Sequence, residues 1–492
     1  ARRARADPGG SAMSGPAGAP ASVPALGEAA PATQLPIEEQ VLDSGLRVIA
    51  VRKPGVPLVE MRLRIPTMSP VREHGAGLML MGETLLTGAG GRDRVALASA
   101  IGELGADVSV GLDADRAVLS ASVLAPNLGP LLDIAASVLV EPAYPEAEIE
   151  AERARLLERL AIARSQAAVV AREARAARMF AGHPYGHALP GDEEVRAVAA
   201  GQIRALHDQL LRPAEAILVL VGDIEARRAF DIAAASLGGW AGRAGAPRFA
   251  APGPAPRGPL GLVDRPGSVQ SSLRLGAAAI RRDAPGYPAL LLANMIFGGY
   301  FSSRWNENLR EDKGYTYGPH SRIEHDAAAS SLLLDADVRT EVTAPALLET
   351  LYELGRISAL PVAEAEVDSA RQYAIGSFAL SLATQAGLAT TLSALVGGGL
   401  SPQYLHEHPA RLAAVAPDEV SEAAREFFAP TRFLAVVVGD DGAVRPGLER
   451  LVDTAPADGS PAHTAPADGS PAHTAPAHTA PPAAAPPTGE AP

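Results

Sequence analysis

Two stretches of this chain repeat one another. Residues 213–223 read Pro-Ala-Glu-Ala-Ile-Leu-Val-Leu-Val-Gly-Asp, and residues 430–440 read Pro-Thr-Arg-Phe-Leu-Ala-Val-Val-Val-Gly-Asp. In each stretch a proline stops a preceding helix, and the apolar run closed by Gly-Asp predicts a buried strand. The full copies, 198–223 and 415–440, lie 217 positions apart without a gap. Two units at this distance predict a duplicated domain of about 200 residues.

Each half of the chain mixes strands with helices. Residues 46–51 and 58–65 alternate like half-buried strands, and residues 108–124 predict another strand pair. Residues 147–181 are strongly helical. Residues 378–400 predict a buried core helix and no membrane span, because serine, threonine and glutamine interrupt the apolar run. The order of elements predicts an α+β fold of two duplicated domains, each a largely antiparallel sheet with helices packed on one face.

Composition shifts divide the chain into five segments. Residues 1–36 are rich in Ala, Pro and Gly, and residues 451–492 carry Pro/Ala/Thr-rich repeats. Both are predicted to be disordered, because they cannot bury enough apolar surface to offset the entropy of ordering. A Pro/Gly-rich linker at 246–260 separates an N-terminal domain, 37–245, from a C-terminal domain, 261–450.

Charge and cysteine content exclude several kinds of site. The net charge of −13 is spread along the chain, which argues against nucleic acid as a partner. The absence of cysteine excludes disulfides, thiolate zinc sites and a cysteine nucleophile. Three histidine pairs have spacings that do not converge on one metal ion. They are His183 with His187, His320 with His325, and His406 with His408.

A second motif lies in the C-terminal half. Residues 298–304 read Gly-Gly-Tyr-Phe-Ser-Ser-Arg, and residues 309–317 read Leu-Arg-Glu-Asp-Lys-Gly-Tyr-Thr-Tyr. Residues 301–312 predict a helix that Gly314 ends, followed by an extended run. These phrases closely resemble the C-terminal half of the pitrilysin/insulinase family of zinc peptidases.

The resemblance covers nearly all of residues 37–450. The phrase Gly-His-Pro-Tyr-Gly at 182–186 is similar to the family's loop after its long helix, and residues 263–272 resemble the opening strand of its second half. The resemblance implies two similar domains that face each other like half a clamshell. Two such chains, or one doubled chain, would enclose a chamber for unfolded peptides. Family members are often exported in bacteria, so the resemblance favours the cell envelope or periplasm without fixing the compartment.

The family's zinc motif is degenerate in this sequence. The family binds zinc through a His-x-x-Glu-His helix near its N-terminus, and the corresponding residues 75–88 contain no histidine. The resemblance places Met79 at the first His, Gly82 at the Glu and Glu83 at the second His. Met79 and its apolar neighbours are predicted to pack in the helix core instead.

The family's third zinc ligand also has no counterpart. It would fall near Arg159 or Leu160, and the nearby Glu158 has no second ligand to work with. Zinc hydrolysis needs three protein ligands, a bound water and a carboxylate base. The sequence therefore predicts that this chain binds no zinc and that zinc resides in a partner subunit.

Arg310 and Tyr317 stand on the positions of the family's Arg/Tyr pair. The resemblance implies that they bind the substrate backbone, where a guanidinium and a phenol can donate hydrogen bonds to a carbonyl oxygen that gains charge in the transition state. Arg304 also fits a family position and could be structural support. The alternative from the residues alone is that Arg310 pairs with Glu307 or Glu311 and Tyr317 only packs.

These features predict a non-catalytic subunit of a heterodimeric zinc peptidase that is inactive alone. Its partners would be a zinc-bearing pitrilysin-family homologue and a peptide substrate, with no nucleic acid and no transmembrane segment. One alternative is a scaffold or assembly protein of the same fold with no peptidase role. Another is an independent zinc peptidase with relocated ligands, which stoichiometric zinc in the purified chain would support.

Overall fold

The computed structural model describes residues 35–67, 74–187, 189–242, 249–255 and 257–457. The segments predicted to be disordered lie outside these residues, apart from 35–36 and 451–457. The described chain forms two six-stranded sheets, one in each half.

The first sheet has the strand order β1-β2-β8-β3-β7-β6, and its neighbours run antiparallel except for the parallel pair β2 and β8. Its strands are β1 (Ile37–Val41), β2 (Arg47–Arg52), β3 (Leu58–Pro66), β6 (Asp107–Leu112), β7 (Arg116–Leu124) and β8 (Ile217–Gly222), and a short separate hairpin is formed by β4 (Gly88–Ala89) and β5 (Arg92–Asp93). The α-helices of this half are α1 (His74–Thr84), α2 (Arg94–Glu103), α3 (Leu128–Val140), α4 (Glu146–Arg164), α5 (Ala167–Met179), α6 (Asp192–Ala197), α7 (Ala200–Leu210) and α8 (Ala226–Leu237).

The second sheet has the order β11-β12-β10-β13-β9-β14, with β9 parallel to both of its neighbours. Its strands are β9 (Leu260–Asp264), β10 (Gln270–Ala278), β11 (His320–His325), β12 (Ser330–Arg339), β13 (Leu434–Gly439) and β14 (Thr454–Pro456). The α-helices of this half are α9 (Tyr287–Asn294), α10 (Arg304–Asn306), α11 (Thr343–Ala359), α12 (Glu364–Ser381), α13 (Gln385–Gly397), α14 (Tyr404–Ala414), α15 (Pro417–Phe427) and α16 (Asp441–Leu448). Met295–Gly299 and Glu307–Asp312 are π-helical.

The structure confirms the mixed α+β fold and the internal repeat. Helix α7 and strand β8 begin and end 217 positions before α15 and β13, as the sequence repeat predicts. In each half most helices of that half pack on one face of the sheet and enclose a large apolar core. Both copies of the Pro-to-Gly-Asp phrase therefore form a buried strand. The first, β8, pairs with β3, and the second, β13, pairs with β10.

Four elements differ from their predicted extents. The helix predicted over 147–181 is interrupted after Arg164 and continues as α5, and the helix predicted over 378–400 is two helices, α12 and α13, that meet at a bend of 109°. The helix predicted from residue 301 begins at Arg304. Strand β14 extends the second sheet beyond residue 450, because its backbone pairs with β9.

The two halves exchange helices. On the second sheet, Ala171 and Ala174 of α5 pack against Val436 and Val438 of β13. On the first sheet, α13 of the second half packs on β8 and β3, with Leu388 and Leu392 among its buried residues. Each sheet thus has its own helices on one face and a helix of the other half on the opposite face. This exchange fixes the position of one half against the other.

A buried charge cluster reinforces the α5 contact. Arg175 of α5 donates to a carboxylate oxygen of Asp335 on β12, and both side chains are at least nine-tenths buried. Arg322 donates to the other Asp335 oxygen at 2.5 Å, and the Arg274 Nε lies 3.6 Å from the first. Burial alone would raise the pKa of Asp335, but the three guanidinium groups hold that pKa below its usual range. Asp335 therefore joins the two halves as a carboxylate.

Among the described helices, no single one is long and apolar enough to cross a membrane. The bent pair α12 and α13 meets the length and composition criteria only when the two are taken together.

Candidate functional site

The degenerate zinc motif lies on α1, and the side chain of its Glu83 contacts α4. Glu83 forms an ion pair with Arg159, whose Nη2 lies 2.7 Å from the Glu83 Oε1. The sequence resemblance places Glu83 at the position of the family's second histidine. It places Arg159 at one of the two candidate positions for the third ligand. An ion pair therefore joins α1 to α4 where the family holds a metal. The sequence identified both residues but gave no indication that they pair.

The other positions of the motif cannot complete a metal site. Met79 is half-buried, and a Cβ added at Gly82 would lie 3.2 Å from the Leu112 side chain. Leu160 is buried in the apolar core, and Glu158 is exposed. Across the described part of the chain, no three His, Cys, Asp or Glu side chains are grouped as ligands. The residues present do not fit zinc.

The histidine pairs do not converge in the described structure. The His187 Nε2 lies 2.9 Å from Glu194, and the His183 Nε2 lies 3.1 Å from the carbonyl oxygen of Ala250. His408 is buried against the Tyr404 ring, and burial, with two arginines nearby, lowers its pKa to about 4. Each of these imidazoles has a structural environment of its own.

A cavity of about 360 Å³ lies between the halves beside α1. Its lining includes Met79 of α1, Met179 of α5 and Leu333 of β12. Arg310 and Tyr317 are not among the residues that line this cavity.

Arg310 and Tyr317 lie together on the second half. The guanidinium carbon of Arg310 is 5.0 Å from the centroid of the Tyr317 ring and 4.4 Å from that of Phe301. The guanidinium therefore lies over two aromatic rings, an arrangement worth about 0.5–1 kcal/mol per contact at an exposed site. Tyr317 is 88% exposed and Phe301 is 61% exposed. Exposed aromatic rings around a cation mark this surface as a binding site candidate.

The local backbone explains why these three side chains meet. Arg310 lies in the π-helical turns Glu307–Asp312, a conformation that is frequent at functional sites. Gly314 ends these turns with a φ of +63°, as predicted. The Thr316 hydroxyl then donates to the carbonyl of Asp337 at 2.7 Å, which anchors the chain immediately before Tyr317.

Arg304 is structural support for this site. Its guanidinium donates two hydrogen bonds of 2.7 Å to the carboxylate of Glu366 on α12. The Arg304 side chain is 9% exposed, and its hydrogen bonds hold the pKa of the Glu366 carboxyl below its usual value, although burial opposes this. The bidentate pair ties the start of α10 to α12 and so positions the segment that carries Phe301 and Arg310.

The alternative in which Arg310 pairs with Glu307 or Glu311 and Tyr317 only packs is partly met. Its Nε lies 3.4 Å from an oxygen of Glu311, whereas no ion pair to Glu307 forms in the described structure. Tyr317 packs on Arg310 but leaves most of its surface to solvent.

Phe301 was not identified from the sequence as a site residue. The signal for it was an aromatic residue beside the Ser-Ser-Arg phrase in a chain with only nine phenylalanines.

Comparisons with known proteins agree on the family. Residues 80–193 match the family described as insulinase (peptidase family M16), and residues 197–373 match the peptidase M16 inactive domain. An uncharacterized zinc protease of Mycobacterium tuberculosis is 23% identical over 433 residues, which are 86% of this chain and 98% of the relative. An uncharacterized zinc protease of Streptomyces coelicolor is 22% identical over 413 residues, covering 82% of this chain and 89% of the relative.

Solved structures share the fold. A peptidase M16 inactive domain from Pseudomonas fluorescens superposes with a TM-score of 0.77 at 24% identity, covering 82% of this chain and 98% of that one. A Helicobacter pylori protease gives 0.75 at 15% identity, covering 82% and 99%. The periplasmic protease PqqL from Escherichia coli gives 0.67 at 15% identity, covering 84% of this chain but 50% of that chain. With its duplicated α+β halves and its matches across both of them, this chain belongs to the insulinase (M16) family of peptidases.

Proposed function

We propose that this chain is the non-catalytic subunit of a heterodimeric zinc peptidase. In this proposal it presents Arg310 and Tyr317 to a peptide held by a zinc-bearing homologue, which supplies the metal and the attacking water. The chain alone would have no peptidase activity.

One contrast carries the proposal. The family's metal position holds the Glu83–Arg159 ion pair, while the family's substrate-binding pair is stacked and exposed on the other half of the molecule. An arginine held over two exposed rings favours a retained binding role over a purely structural one. The pair also does not line the inner cavity of its own chain, so a second chain is the natural place for its target.

The stacked arrangement suits hydrogen bonding to a peptide carbonyl. The Arg310 guanidinium lies over the rings of Phe301 and Tyr317, and its N–H groups are hydrogen-bond donors. Glu311 lies near the Nε, which leaves the terminal nitrogens for a substrate oxygen. The Tyr317 hydroxyl can donate to the same carbonyl. Two donors held in place before the reaction stabilise the charge that develops on that oxygen.

The lengths of the relatives support a two-chain enzyme. The matched region accounts for half of the E. coli protease PqqL, so that protein is long enough to hold a second region of the same size. A complex of this chain with a homologue of its own size would supply the same amount of structure. The word periplasmic in the name of that protease supports a location in the cell envelope.

Metal analysis of the separate and combined chains tests the proposal. We expect no stoichiometric zinc in this chain and one zinc ion per heterodimer when it is purified with its zinc-bearing homologue, because Glu83 is paired with Arg159 and its neighbours offer no ligands. The measurements are elemental analysis and light scattering of the purified complex. One zinc ion per molecule of this chain alone would instead indicate a peptidase with relocated ligands.

The scaffold alternative makes a different prediction for the same samples. A scaffold subunit would also lack zinc and could also bind a homologue. It would leave the peptidase rate of that homologue unchanged, and substitution of Arg310 would have no effect on the rate. Zinc content therefore separates the proposal from an independent peptidase, and peptidase rate separates it from a scaffold.

A further inference from the structure

A second cavity, of about 160 Å³, lies between the two halves and is lined by four arginines. Arg64 reaches it from β3 and Arg116 from β7, both in the first sheet. Arg281 and Arg282 reach it from the segment that follows β10 in the second half. Four guanidinium groups around so small a space repel one another unless negative charge lies among them.

Arg64 is the least compensated of the four. It forms no hydrogen bond or ion pair with any described residue, and its side chain lies directly on Gly397 at the end of α13. A methyl group added at Gly397 would lie 2.0 Å from the Arg64 Nε, so only glycine leaves room for the guanidinium there. Burial, followed by repulsion from Arg116, lowers the pKa of Arg64 to about 10, although the carboxylates of Asp113 and Asp115 oppose this. The fold therefore holds a cation against an electrostatic cost.

The nearby carboxylates balance only part of this charge. Arg116 pairs with Asp113 at 3.1 Å, and Arg281 pairs with Asp283 at 3.2 Å. Within the described structure, neither Arg64 nor Arg282 has a carboxylate partner. Asp115 and the partly ionised Asp326 add negative charge nearby, so an anion is favoured only beside the two guanidinium groups that form no ion pair.

Two further groups shape the interior. Asp326 lines the cavity, and burial together with the carboxylates of Asp115, Glu324 and Asp113 raises its pKa to about 7, although Arg116 opposes this. It therefore carries less than a full negative charge near neutral pH. The His325 Nδ1 lies 2.8 Å from the Ser330 hydroxyl, while its Nε2 is buried without a partner among the described residues.

We propose that this cavity binds an oxyanion of the phosphate class between Arg64 and Arg282. Guanidinium groups match the geometry of such an ion, since each can donate two parallel hydrogen bonds to its oxygens. The bound ion would join β3 of the first half to the segment after β10 and the end of α13 in the second half. It would thus stabilise the contact between the halves at a place where the protein itself leaves two cations unpaired.

Sulfate tests the site, because it is a tetrahedral dianion that does not titrate near neutral pH. We expect wild-type protein to bind sulfate in isothermal titration calorimetry at a fixed ionic strength, and Arg64→Met to bind it at least about 10-fold more weakly, since one charge-assisted contact is lost. Arg227→Met is the matched control, because Arg227 is 88% exposed and lies outside the cavity lining. Gly397→Ala should weaken binding without removing any charge, by displacing the Arg64 side chain.

Three results would overturn the proposal. They are equal sulfate affinity in wild type and Arg64→Met, equal loss in Arg227→Met, and binding of acetate as tightly as sulfate. Inorganic phosphate and glycerol 2-phosphate distinguish the source of the anion. Tighter binding of the first indicates the free ion, and tighter binding of the second indicates a phosphorylated compound; failure of both to bind would contradict the proposal.

The pH dependence of sulfate binding tests the position of the anion. As the pH falls from 8 to 6, Asp326 takes up a proton and loses its negative charge, so we expect wild type to bind sulfate more tightly at pH 6. Asp326→Asn should bind at pH 8 as wild type does at pH 6. The groups that face Asp326 are Asp113, Asp115, Arg116 and Glu324. Equal wild-type affinity at both pH values would place the anion away from Asp326 and contradict the arrangement.

Discussion

Replacing Arg310 with alanine is expected to lower kcat of the mixture of this chain and its zinc-bearing homologue by about 100-fold, the size of effect seen when one preorganised donor to a developing oxyanion is removed. If the donor acts mainly in the transition state, kcat and kcat/KM fall together. The Arg310 side chain is half-buried beneath exposed rings and forms one ion pair at 3.4 Å, so the substitution should leave the fold intact. The measurement is cleavage of an unstructured fluorogenic peptide under saturating conditions.

Two further variants separate this role from a structural one. Arg310→Lys keeps the charge but lacks the planar fork, so it should restore only a small part of the lost rate. Arg432→Ala is the matched control, because the Arg432 guanidinium also lies over an aromatic ring, at 5.1 Å from the Phe427 centroid, in the same half. An unchanged rate in Arg310→Ala, or an equal loss in Arg432→Ala, would argue for the scaffold alternative.

Replacing Asp335 with asparagine is expected to lower the free energy of unfolding by about 3 kcal/mol, because a nearly isosteric neutral group leaves Arg175, Arg274 and Arg322 facing one another. Since Arg175 belongs to α5 and the other two to the second sheet, the repulsion acts across the halves. Urea denaturation measures the loss. Backbone amides of α5 should also exchange hydrogen faster, whereas those of α3 should not.

Asp337→Asn is the control for this prediction. Asp337 pairs with Arg274 at 2.8 Å, but its side chain is 49% exposed, so its removal should cost less than about 1 kcal/mol. Equal destabilisation by the two substitutions, or unchanged exchange in α5, would show that the buried cluster does not hold the halves together.

Much of the fold could be predicted from the sequence, because local pattern and repetition carry it. The apolar runs of β8 and β13 and the helices before them recur 217 positions apart, and the structure reproduces these bounds. Alternation over residues 58–65 predicted a strand with one polar face. That face is not left to solvent, however: Arg62 and Arg64 on it contact Thr390 and Gly397 of α13.

The exchange of α5 and α13 could not be predicted in this way. A helix that covers a sheet of the other half has the same apolar stripe as one that covers its own. Likewise, Arg175 and Asp335 are 160 positions apart, and nothing in the local sequence of either marks the other as its partner. Such contacts depend on the relative position of two already folded halves.

The candidate site, like the fold, could be predicted from the sequence only in part. The family resemblance identified Arg310 and Tyr317, and the structure brings them within 5.0 Å. It did not identify Phe301, since an aromatic ring on the far side of the guanidinium depends on the turn between residues 300 and 304. It also gave no hint that Glu83 pairs with Arg159, because both were assessed only as metal ligands.

The most direct test of the account is the peptidase rate of three samples with the same unstructured peptide: this chain alone, its zinc-bearing homologue alone, and their equimolar mixture. We predict that only the mixture is active and that a chelator abolishes its activity. Chelator-sensitive cleavage by this chain alone, or a mixture no faster than the homologue alone, would contradict the assignment of this chain as the non-catalytic subunit.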